Sequence, residues 1–472
     1  MIKRLAYKGA PLLFFAITLF FFGCTTYNHP FVEVDEQARS GNYGAAAQKL
    51  AGEDRSDFYS EKEKVLYYLD LGMLYHYDGQ WQSSSEHFEE AEMLIEEYFT
   101  KSISQAATSL LLNDTAMDYA GEDYEDIYLN VFKAINYIKE DQFDGAFVEI
   151  RRVNNKLNLL EDKYKDLAEE YGSSEEAEID IETGESRFYS SALARYLSML
   201  VYRADGNWDS ARIDYQGMQE AFARQSNIYD FPLPLGEEVI EKPEGAKLSL
   251  LAFAGESPVK RATTFRIATY NNRLEISTEG ETDMGQMQLT SYNTIYWPGM
   301  EGGYRFKFQL PRMVSRGSEV RSIRVLVDGS PVGELKKIES IQKVAQETFS
   351  VKLPVIYFKT ISRTVIKGLV AQKGKEKMRE AGSSSGSAFG LAAGIVGSIA
   401  TDVDLEASEK ADVRTSRYFP AFAYVGEWDV PEGTHRVQVE FYGRNNLLAT
   451  RDLGEIDVRA GEANLLTAYY PK

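Results

Sequence analysis

Cysteine is almost absent from this chain of 472 residues, which has a single one at position 24. One cysteine excludes an intramolecular disulfide, a Cys-rich zinc site and a redox pair. Histidine is also scarce, and no two of the four residues stand at metal-binding spacing within an acidic cluster. The chain has no P-loop and no dinucleotide-type glycine-rich turn. We therefore expect no metal, no cofactor and no catalytic residue, and a protein that is not an enzyme.

Positive charge is in short supply, because 52 Lys and Arg residues face 72 Asp and Glu residues and give a net charge of -20. Binding a phosphate backbone requires clustered basic residues, so this balance argues against nucleic acid as a partner. Hydrophobic residues at 44% and charged residues at 26% are nevertheless typical of globular proteins. A chain of this length is long enough for about two or three domains.

Residues 1–23 have the pattern of a bacterial signal peptide. Three basic residues lie within the first eight positions, and an apolar run follows at 12–22. This run is too short to span a bilayer, since a span takes about 20 apolar residues. Gly23 then stands directly before Cys24, which resembles the bacterial lipobox. That resemblance implies cleavage between Gly23 and Cys24 and a lipid on the cysteine sulfur; the alternative is an uncleaved anchor helix.

Lipid on Cys24 predicts attachment to a membrane through a short tether at 24–30. Two or more acyl chains hold a protein firmly, whereas one chain holds it only marginally. Thr25 follows the cysteine, where Asp signals retention in the inner membrane of enteric-type bacteria. We therefore expect an exported protein on the periplasmic face of the outer membrane.

Residues 31–228 are predicted to form helical hairpins. Apolar positions recur at helical spacing, and an aromatic residue follows a turn at 43, 81, 143 and 208. The segment 68–91 resembles a tetratricopeptide repeat, in which small residues let antiparallel helices approach and large ones fill the groove between hairpins. Ordinary core packing explains the same residues individually. The predicted packing residues are Tyr68, Leu71, Gly72, Tyr75, Trp81, Phe88, Ala91, Phe143, Ala146, Trp208 and Ala211.

A Pro-rich segment at 229–246 is predicted to be a linker, because proline interrupts helices and the apolar pattern changes after it. Residues 247–472 are predicted to form a β-rich domain with a helical, Gly-rich insertion at about 360–410, whose first part, 365–380, is a basic helix. Runs of β-forming residues predict the strands 248–254, 304–310, 323–327, 421–428, 435–442 and 464–470.

Glycine recurs every four residues within this insertion, at Gly382, Gly386, Gly390 and Gly394. On a helix these positions would form one smooth ridge, which allows two helix backbones to touch. The apolar part of the segment is too short to cross a bilayer alone. Two interpretations stay open: a flexible loop that leads into a buried helix, and a segment that inserts into a membrane or self-associates.

Four short motifs add a resemblance to a known family. Residues 121–125, 134–137, 149–152 and 411–415, the last followed by Pro420, are similar to an uncharacterised family of bacterial tetratricopeptide-repeat-containing lipoproteins of the cell envelope. The resemblance covers most of the chain. It implies a role in the cell envelope and brings no catalytic residue with it.

The expected fold is multidomain, α then α+β: a tetratricopeptide-like helical array followed by a β-rich domain with the Gly-rich insertion. The expected function is that of a lipid-anchored cell-envelope adaptor or scaffold, which binds envelope proteins or peptides through its helical repeats. The alternative is an oligomeric component of envelope transport or export whose Gly-rich segment inserts into the membrane or self-associates.

Overall fold

The computed structural model describes residues 30–52, 54–104, 112–172, 183–243, 245–281, 287–296, 301–380 and 409–472. Within these ranges, helices fill the N-terminal half and β-sheets dominate the C-terminal region. The prediction of α then α+β is therefore confirmed as a mixed α+β protein. Six residues with predicted roles lie outside the described ranges: Gly23, Cys24, Gly382, Gly386, Gly390 and Gly394.

Eight α-helices precede the first strand in the described residues, and they pair in chain order into four antiparallel hairpins. Contact between the two helices of each pair is what defines the hairpins. The bounds are α1 Val32–Ser40, α2 Tyr43–Gly52, α3 Lys64–Tyr77, α4 Trp81–Ser104, α5 Asp123–Lys139, α6 Phe143–Gly172, α7 Ala192–Ala204 and α8 Trp208–Arg224.

One turn geometry closes all four hairpins. Each turn begins with a residue of positive φ, and glycine adopts this left-handed conformation without steric cost in three of them. The N–H of that residue donates to the carbonyl three residues back, and the next N–H donates to the carbonyl five residues back. The second helix then starts on the aromatic residue seen in the sequence pattern. The left-handed residues are Gly41, Gly79, Asp141 and Gly206.

The strands of the described residues form three four-stranded sheets. All six strands predicted from the sequence coincide with observed ones, namely β1, β5, β6, β9, β10 and β12. The bounds are β1 Ala246–Glu256, β2 Val259–Tyr270, β3 Arg273–Glu281, β4 Met287–Tyr296, β5 Arg305–Val314, β6 Ser322–Val327, β7 Ser330–Glu334, β8 Lys336–Glu339, β9 Pro420–Val430, β10 Gly433–Tyr442, β11 Leu447–Val458 and β12 Leu465–Tyr470.

The central sheet, of order β12-β1-β9-β8, is covered on both faces. Strand β1 runs parallel to β12 and antiparallel to β9. Successive side chains of a strand point to opposite faces. Leu250 and Ala252 pack against the second sheet, of order β11-β10-β6-β7, whereas Leu251 and Phe253 pack against the helices. A strand buried on both faces has few polar residues, and β1 has such a composition.

The third sheet, of order β4-β3-β2-β5, packs against a long helix, α9, which spans Ile341–Glu380. Ile361 and Val365 of α9 share a small core with Ile267 and Phe308 of the sheet. The same helix also contacts α5 and α6. The predicted helix at 365–380 is the second half of α9, which begins much earlier and continues through Pro354.

Residues 229–243, which make up most of the predicted linker 229–246, lie against the last helical hairpin. Leu235 and Val239 are buried, and Nη1 of Arg203 in α7 donates to the Val239 carbonyl at 2.8 Å. One hydrophobic core extends from Phe31 in the helices to Tyr469 in β12. The helical half and the central sheet are therefore packed together rather than joined only through this segment.

Candidate functional site

The predicted packing residues lie at contacts between helices. Gly72 of α3 faces Phe88 of α4, and a Cβ atom at Gly72 would lie 2.6 Å from the Phe88 ring. Ser84 Oγ donates to the Gly72 carbonyl at 2.8 Å across the same contact. Four of the other predicted residues are buried, namely Leu71, Ala91, Ala146 and Ala211. Five are half-buried, namely Tyr68, Tyr75, Trp81, Phe143 and Trp208.

The first helices of the last three hairpins, α3, α5 and α7, turn one face toward the β-sheets, and we call this the inner face. His76 Nε2 of α3 lies 2.7 Å from the Tyr469 hydroxyl of β12. Lys139 Nζ at the end of α5 donates to the Leu465 carbonyl at 2.9 Å. The chain's own central sheet therefore covers the inner face at these contacts, and a partner cannot bind there.

A buried ion pair fixes α7 to strand β9. Arg203 Nη1 and Nη2 donate to the two carboxylate oxygens of Glu427, each at 2.7 Å. The side chains are 7% and 2% exposed, so both charges are removed from water. The Tyr196 hydroxyl donates a further hydrogen bond to Glu427 at 2.9 Å. Neither residue was identified from the sequence, since a charged pair 224 positions apart leaves no local signal.

Glu339, at the end of β8, is a buried carboxyl group held by neutral donors. It accepts hydrogen bonds from the Tyr229 hydroxyl, from Ser191 Oγ at 2.9 Å and from the Leu193 N–H at 3.1 Å. The Tyr128 hydroxyl is a further donor. Burial raises the pKa of Glu339 above its ordinary value. Its partners lie on α5, at the start of α7 and before β1, so the group joins the helices to the central sheet.

The segment 409–419, which precedes β9, is held against the inner face by two more buried carboxyl groups. Asp70 of α3 accepts from Ser416 Oγ at 2.6 Å and from the Arg417 N–H at 2.8 Å. Glu125 of α5 accepts from the Ser416 N–H at 2.6 Å. Burial and the neighbouring Glu122 carboxylate raise the pKa of Glu125 to about 7.

A cavity of about 180 Å³ lies between α6, α9 and strand β2, and four lysine side chains line it. Each lysine is paired with a carboxylate, although two of them share Glu122. The lining also includes Asp118 and Asp412, so four acidic residues balance the four lysines. The pairs are Lys163 with Asp123 at 2.7 Å, Lys260 with Glu122 at 2.6 Å, Lys352 with Glu122 at 2.5 Å and Lys359 with Asp114 at 2.6 Å. Such satisfied pairs explain the cavity as part of the buried contact between the helices and α9.

A larger groove, of about 490 Å³, lies between the second helices of two neighbouring hairpins, α4 and α6, and the first residues of α5 also line it. We call it the outer groove. One stripe of side chains on each helix lines it, at spacings of three and four residues, as expected for one helix face. The stripes are Glu89, Met93 and Glu96 on α4, and Arg152, Lys156, Leu159 and Lys163 on α6.

The outer groove combines exposed apolar side chains with ion pairs at its floor. Met93 is 50% exposed and Leu159 is 59% exposed, although both are large apolar residues. Glu92 accepts hydrogen bonds from Lys156 and Arg152, each at 2.8 Å. Although burial opposes ionisation, Lys156 and the buried Lys133 lower the pKa of Glu92 to about 2. The ion pairs at the floor therefore keep their charges over the physiological pH range, while the apolar side chains above them face solvent.

The sequence contained a signal for this groove that went unused. Met93 and Leu159 are apolar residues in helix stripes that are otherwise charged, and such a pattern on two adjacent second helices indicates an apolar contact surface. The predicted packing residues Phe88 and Ala91 lie on the opposite, buried side of α4.

Two other kinds of feature are absent from the residues that the structure describes. Those residues include no group of three or more His, Cys, Asp or Glu side chains arranged to hold a metal ion. Across the same ranges, every helix lacks either the length or the apolarity that crossing a membrane requires. Comparison of this chain with protein-family models, with curated proteins and with solved structures finds no match.

Proposed function

We propose that this protein is a lipid-anchored adaptor of the bacterial cell envelope, held on the outer membrane through lipid on Cys24 and binding protein partners through its helical hairpins. The hairpins are, in this proposal, a degenerate tetratricopeptide-like array. Their shared turn geometry and the close contact of Gly72 with Phe88 support that assignment. The N-terminal lipobox pattern supports the anchor.

The outer groove is the observation on which the adaptor role rests. Helical repeat arrays bind peptides and proteins on their concave face. The inner face of this chain is filled by its own central sheet, so a partner has to bind elsewhere. The outer groove exposes Met93 and Leu159 side by side with charged residues, which is the composition of a recognition surface.

The dimensions and charge of the groove define the partner's chemistry. The lining residues of α4 extend from Glu89 to Phe99, which at 1.5 Å per residue is a length of about 15 Å, or three helical turns. Five acidic and three basic side chains line the groove. A short amphipathic helix with an apolar face and flanking Lys or Arg residues fits this length, apolarity and acidic excess.

The anchor is tested by membrane fractionation and mass spectrometry of the wild type beside Cys24→Ala. We expect an acylated Cys24 at the mature N-terminus of the wild type, and release from the membrane or retention of the precursor in the variant. An uncut N-terminus with an unmodified Cys24 would refute the anchor and would make the protein signal-anchored.

The groove is tested with a photo-crosslinking residue at position 93 in cells, combined with substitutions on the facing helix. We expect one dominant protein adduct, reduced at least about tenfold by Leu159→Asp, because a charge in an apolar contact costs more than 1.4 kcal/mol. Ile213→Asp is the matched control, since Ile213 of α8 is 64% exposed and lies outside the groove. Equal adduct yields in both variants would contradict binding in the groove.

A role as an oligomeric export component remains the second proposal, and it depends on Gly382, Gly386, Gly390 and Gly394. Helix α9 leads directly into this segment. Detergent-resistant oligomers that disappear on Gly390→Leu or Gly394→Leu would favour this function over the adaptor role.

A further inference from the structure

Three arginine side chains from distant parts of the chain meet at a small cavity of about 100 Å³, which we call the arginine pocket. Arg39 comes from the last turn of α1, Arg316 from the loop after β5, and Arg417 from the segment before β9. Aromatic side chains, among them Tyr77 and Phe419, form part of the wall. A cavity of this size has room for several water molecules, and so for one tetrahedral oxyanion.

Only two carboxylates balance the three guanidinium groups among the described residues that line this pocket. Glu256 binds two of them: Arg39 Nη2 at 3.3 Å and Arg316 Nη1 at 2.9 Å. Asp35 binds Arg417 through Nε at 3.2 Å and Nη2 at 2.5 Å. Among the lining residues the guanidinium groups therefore outnumber the carboxylates by one, although the whole chain has a net charge of -20.

The protein relieves the crowding of these cations unevenly. Although burial acts against the charge of Arg417, its hydrogen bond to Asp35 raises its pKa, whereas Arg316 is not compensated in this way. Burial, together with the Arg417 and Arg39 guanidinium groups, lowers the pKa of Arg316 despite the nearby Glu256 carboxylate. A bound anion would offset this repulsion. The side chains of Arg39, Arg316 and Arg417 are 48%, 26% and 33% exposed, so an anion can reach all three from solvent.

The pocket also lies where the chain would leave the membrane. The Arg417 guanidinium stacks on the Phe31 ring, with its central carbon 4.2 Å from the ring centroid. Phe31 follows Cys24 by seven residues, and an extended segment of that length spans at most about 25 Å. If Cys24 is lipidated, as proposed above, the tether holds the arginine pocket within that distance of the lipid headgroups.

We propose that Arg39, Arg316 and Arg417 form a binding site for a phosphate group, and that the phosphodiester of an anionic phospholipid headgroup supplies it in the anchored protein. Glu256 and Asp35 accept from Nε and Nη2 of Arg39 and Arg417, so the phosphate would be bound through the remaining N–H groups of these guanidinium groups. Asp35 and Glu256 hold the three guanidinium groups in place. Headgroup binding would orient the helices and sheets relative to the membrane, which a lipid anchor alone does not do.

The test is isothermal titration of the full-length chain in neutral detergent with two probes, inorganic phosphate and glycerophosphoglycerol, the headgroup moiety of an anionic phospholipid. We expect glycerophosphoglycerol to bind, and both Arg39→Gln and Arg316→Gln to weaken binding about tenfold, the effect of one charge-assisted hydrogen bond. The matched control is Arg212→Gln, because Arg212 is an exposed arginine paired with Asp209 outside the pocket. Circular dichroism of each variant establishes that it is folded.

The possible outcomes separate the site from its source of phosphate. Binding of inorganic phosphate alone, with the same response to the variants, would refute the headgroup and leave a site for free phosphate. Binding of neither probe, or equal weakening in Arg39→Gln and Arg212→Gln, would overturn the site itself. Because the titration does not require acylated Cys24, failure of the anchor would appear in membrane fractionation and not in this measurement.

Discussion

Removing the charge of Arg203 tests the contact that fixes α7 to the central sheet. In Arg203→Met the Glu427 carboxylate, 2% exposed in the wild type, loses both hydrogen bonds of 2.7 Å from the guanidinium group, and the Val239 carbonyl loses its bond from Nη1. Among the described residues, the Tyr196 hydroxyl at 2.9 Å and Ser249 Oγ at 3.3 Å remain as donors to Glu427. Breaking a buried pair by removing one partner costs about 3–5 kcal/mol. We expect a loss of that size in the free energy of unfolding.

The measurement is urea unfolding followed by circular dichroism, which is dominated by the helices, and by tryptophan fluorescence in a Trp81→Phe/Trp208→Phe background. This background removes the two helix tryptophans and leaves Trp297 and Trp428 of the C-terminal half as reporters. Because the two halves share one core, we expect the two signals to change together in the wild type and in the variant. The control is Arg212→Met, whose exposed pair with Asp209 contributes at most about 0.5 kcal/mol. In Arg203→Met/Glu427→Leu both charges are gone, so we expect most of the lost stability to return.

A loss of unfolding free energy in Arg203→Met no larger than that in Arg212→Met would refute this reasoning, because it would mean that Glu427 is hydrated or accepts hydrogen bonds from other donors. Two separate transitions in the wild type would refute the shared core in a different way. The double variant Arg203→Met/Glu427→Leu shows whether the loss comes from the unpaired charge or from lost packing volume, since it keeps the combined volume of the two side chains nearly constant.

Two further predictions concern close packing and a shifted carboxyl group. Gly72→Ala should destabilise the protein by about 1 kcal/mol, because overpacking against Phe88 outweighs the gain in helix propensity; Gly52→Ala, with open space around it, should instead stabilise it by about 0.5 kcal/mol in the same thermal unfolding assay. The pKa of Glu125 in the folded chain, about 7, lies above its ordinary 4.5, so its contribution to stability is present below pH 4.5 and is lost as the pH rises to 7. The free energy of unfolding, measured with urea at a series of pH values, should show this pH-dependent component of about 3 kcal/mol in the wild type and in the exposed control Glu89→Gln, but not in Glu125→Gln. Parallel pH profiles of wild type and Glu125→Gln would contradict the shift.

The helical hairpins and half of the strands could be predicted because their signals are local. A left-handed glycine followed two positions later by an aromatic residue marks three of the four hairpin turns, and Asp141 takes the glycine's place in the fourth. Strand β1 is predicted by its continuous apolar run, which reflects burial on both faces.

The strands that sequence patterns missed are those with weak alternation. β11 is an edge strand of its sheet, and nearly all of its side chains are exposed or half-buried, so it lacks an apolar period. β2 is an interior strand of its sheet, but most of its side chains are also exposed or half-buried, so it alternates poorly. The first half of α9 was missed because Pro354 argues against a helix interior, whereas the contacts of α9 with the third sheet and with α5 and α6 stabilise the helix around it.

The candidate sites depend on contacts between distant residues, which no single segment encodes. The arginine pocket combines Arg39, Arg316 and Arg417, and each looks like an ordinary surface residue in its own segment. The outer groove has a partial local signal in Met93 and Leu159. The roles of Gly23 and Cys24 stay predictions, because they rest on the N-terminal pattern alone.

The position of β12 has a consequence for the order in which the molecule is completed. This strand lies far along the chain from the helices, yet it pairs with β1 and its Tyr469 reaches His76, 393 residues earlier. A ribosome produces the helices first, so their apolar inner faces lack this cover until β12 has emerged. Closure of the core therefore waits for β12, and the slow formation of such distant contacts leaves an interval in which chaperones can shield α3 and α5.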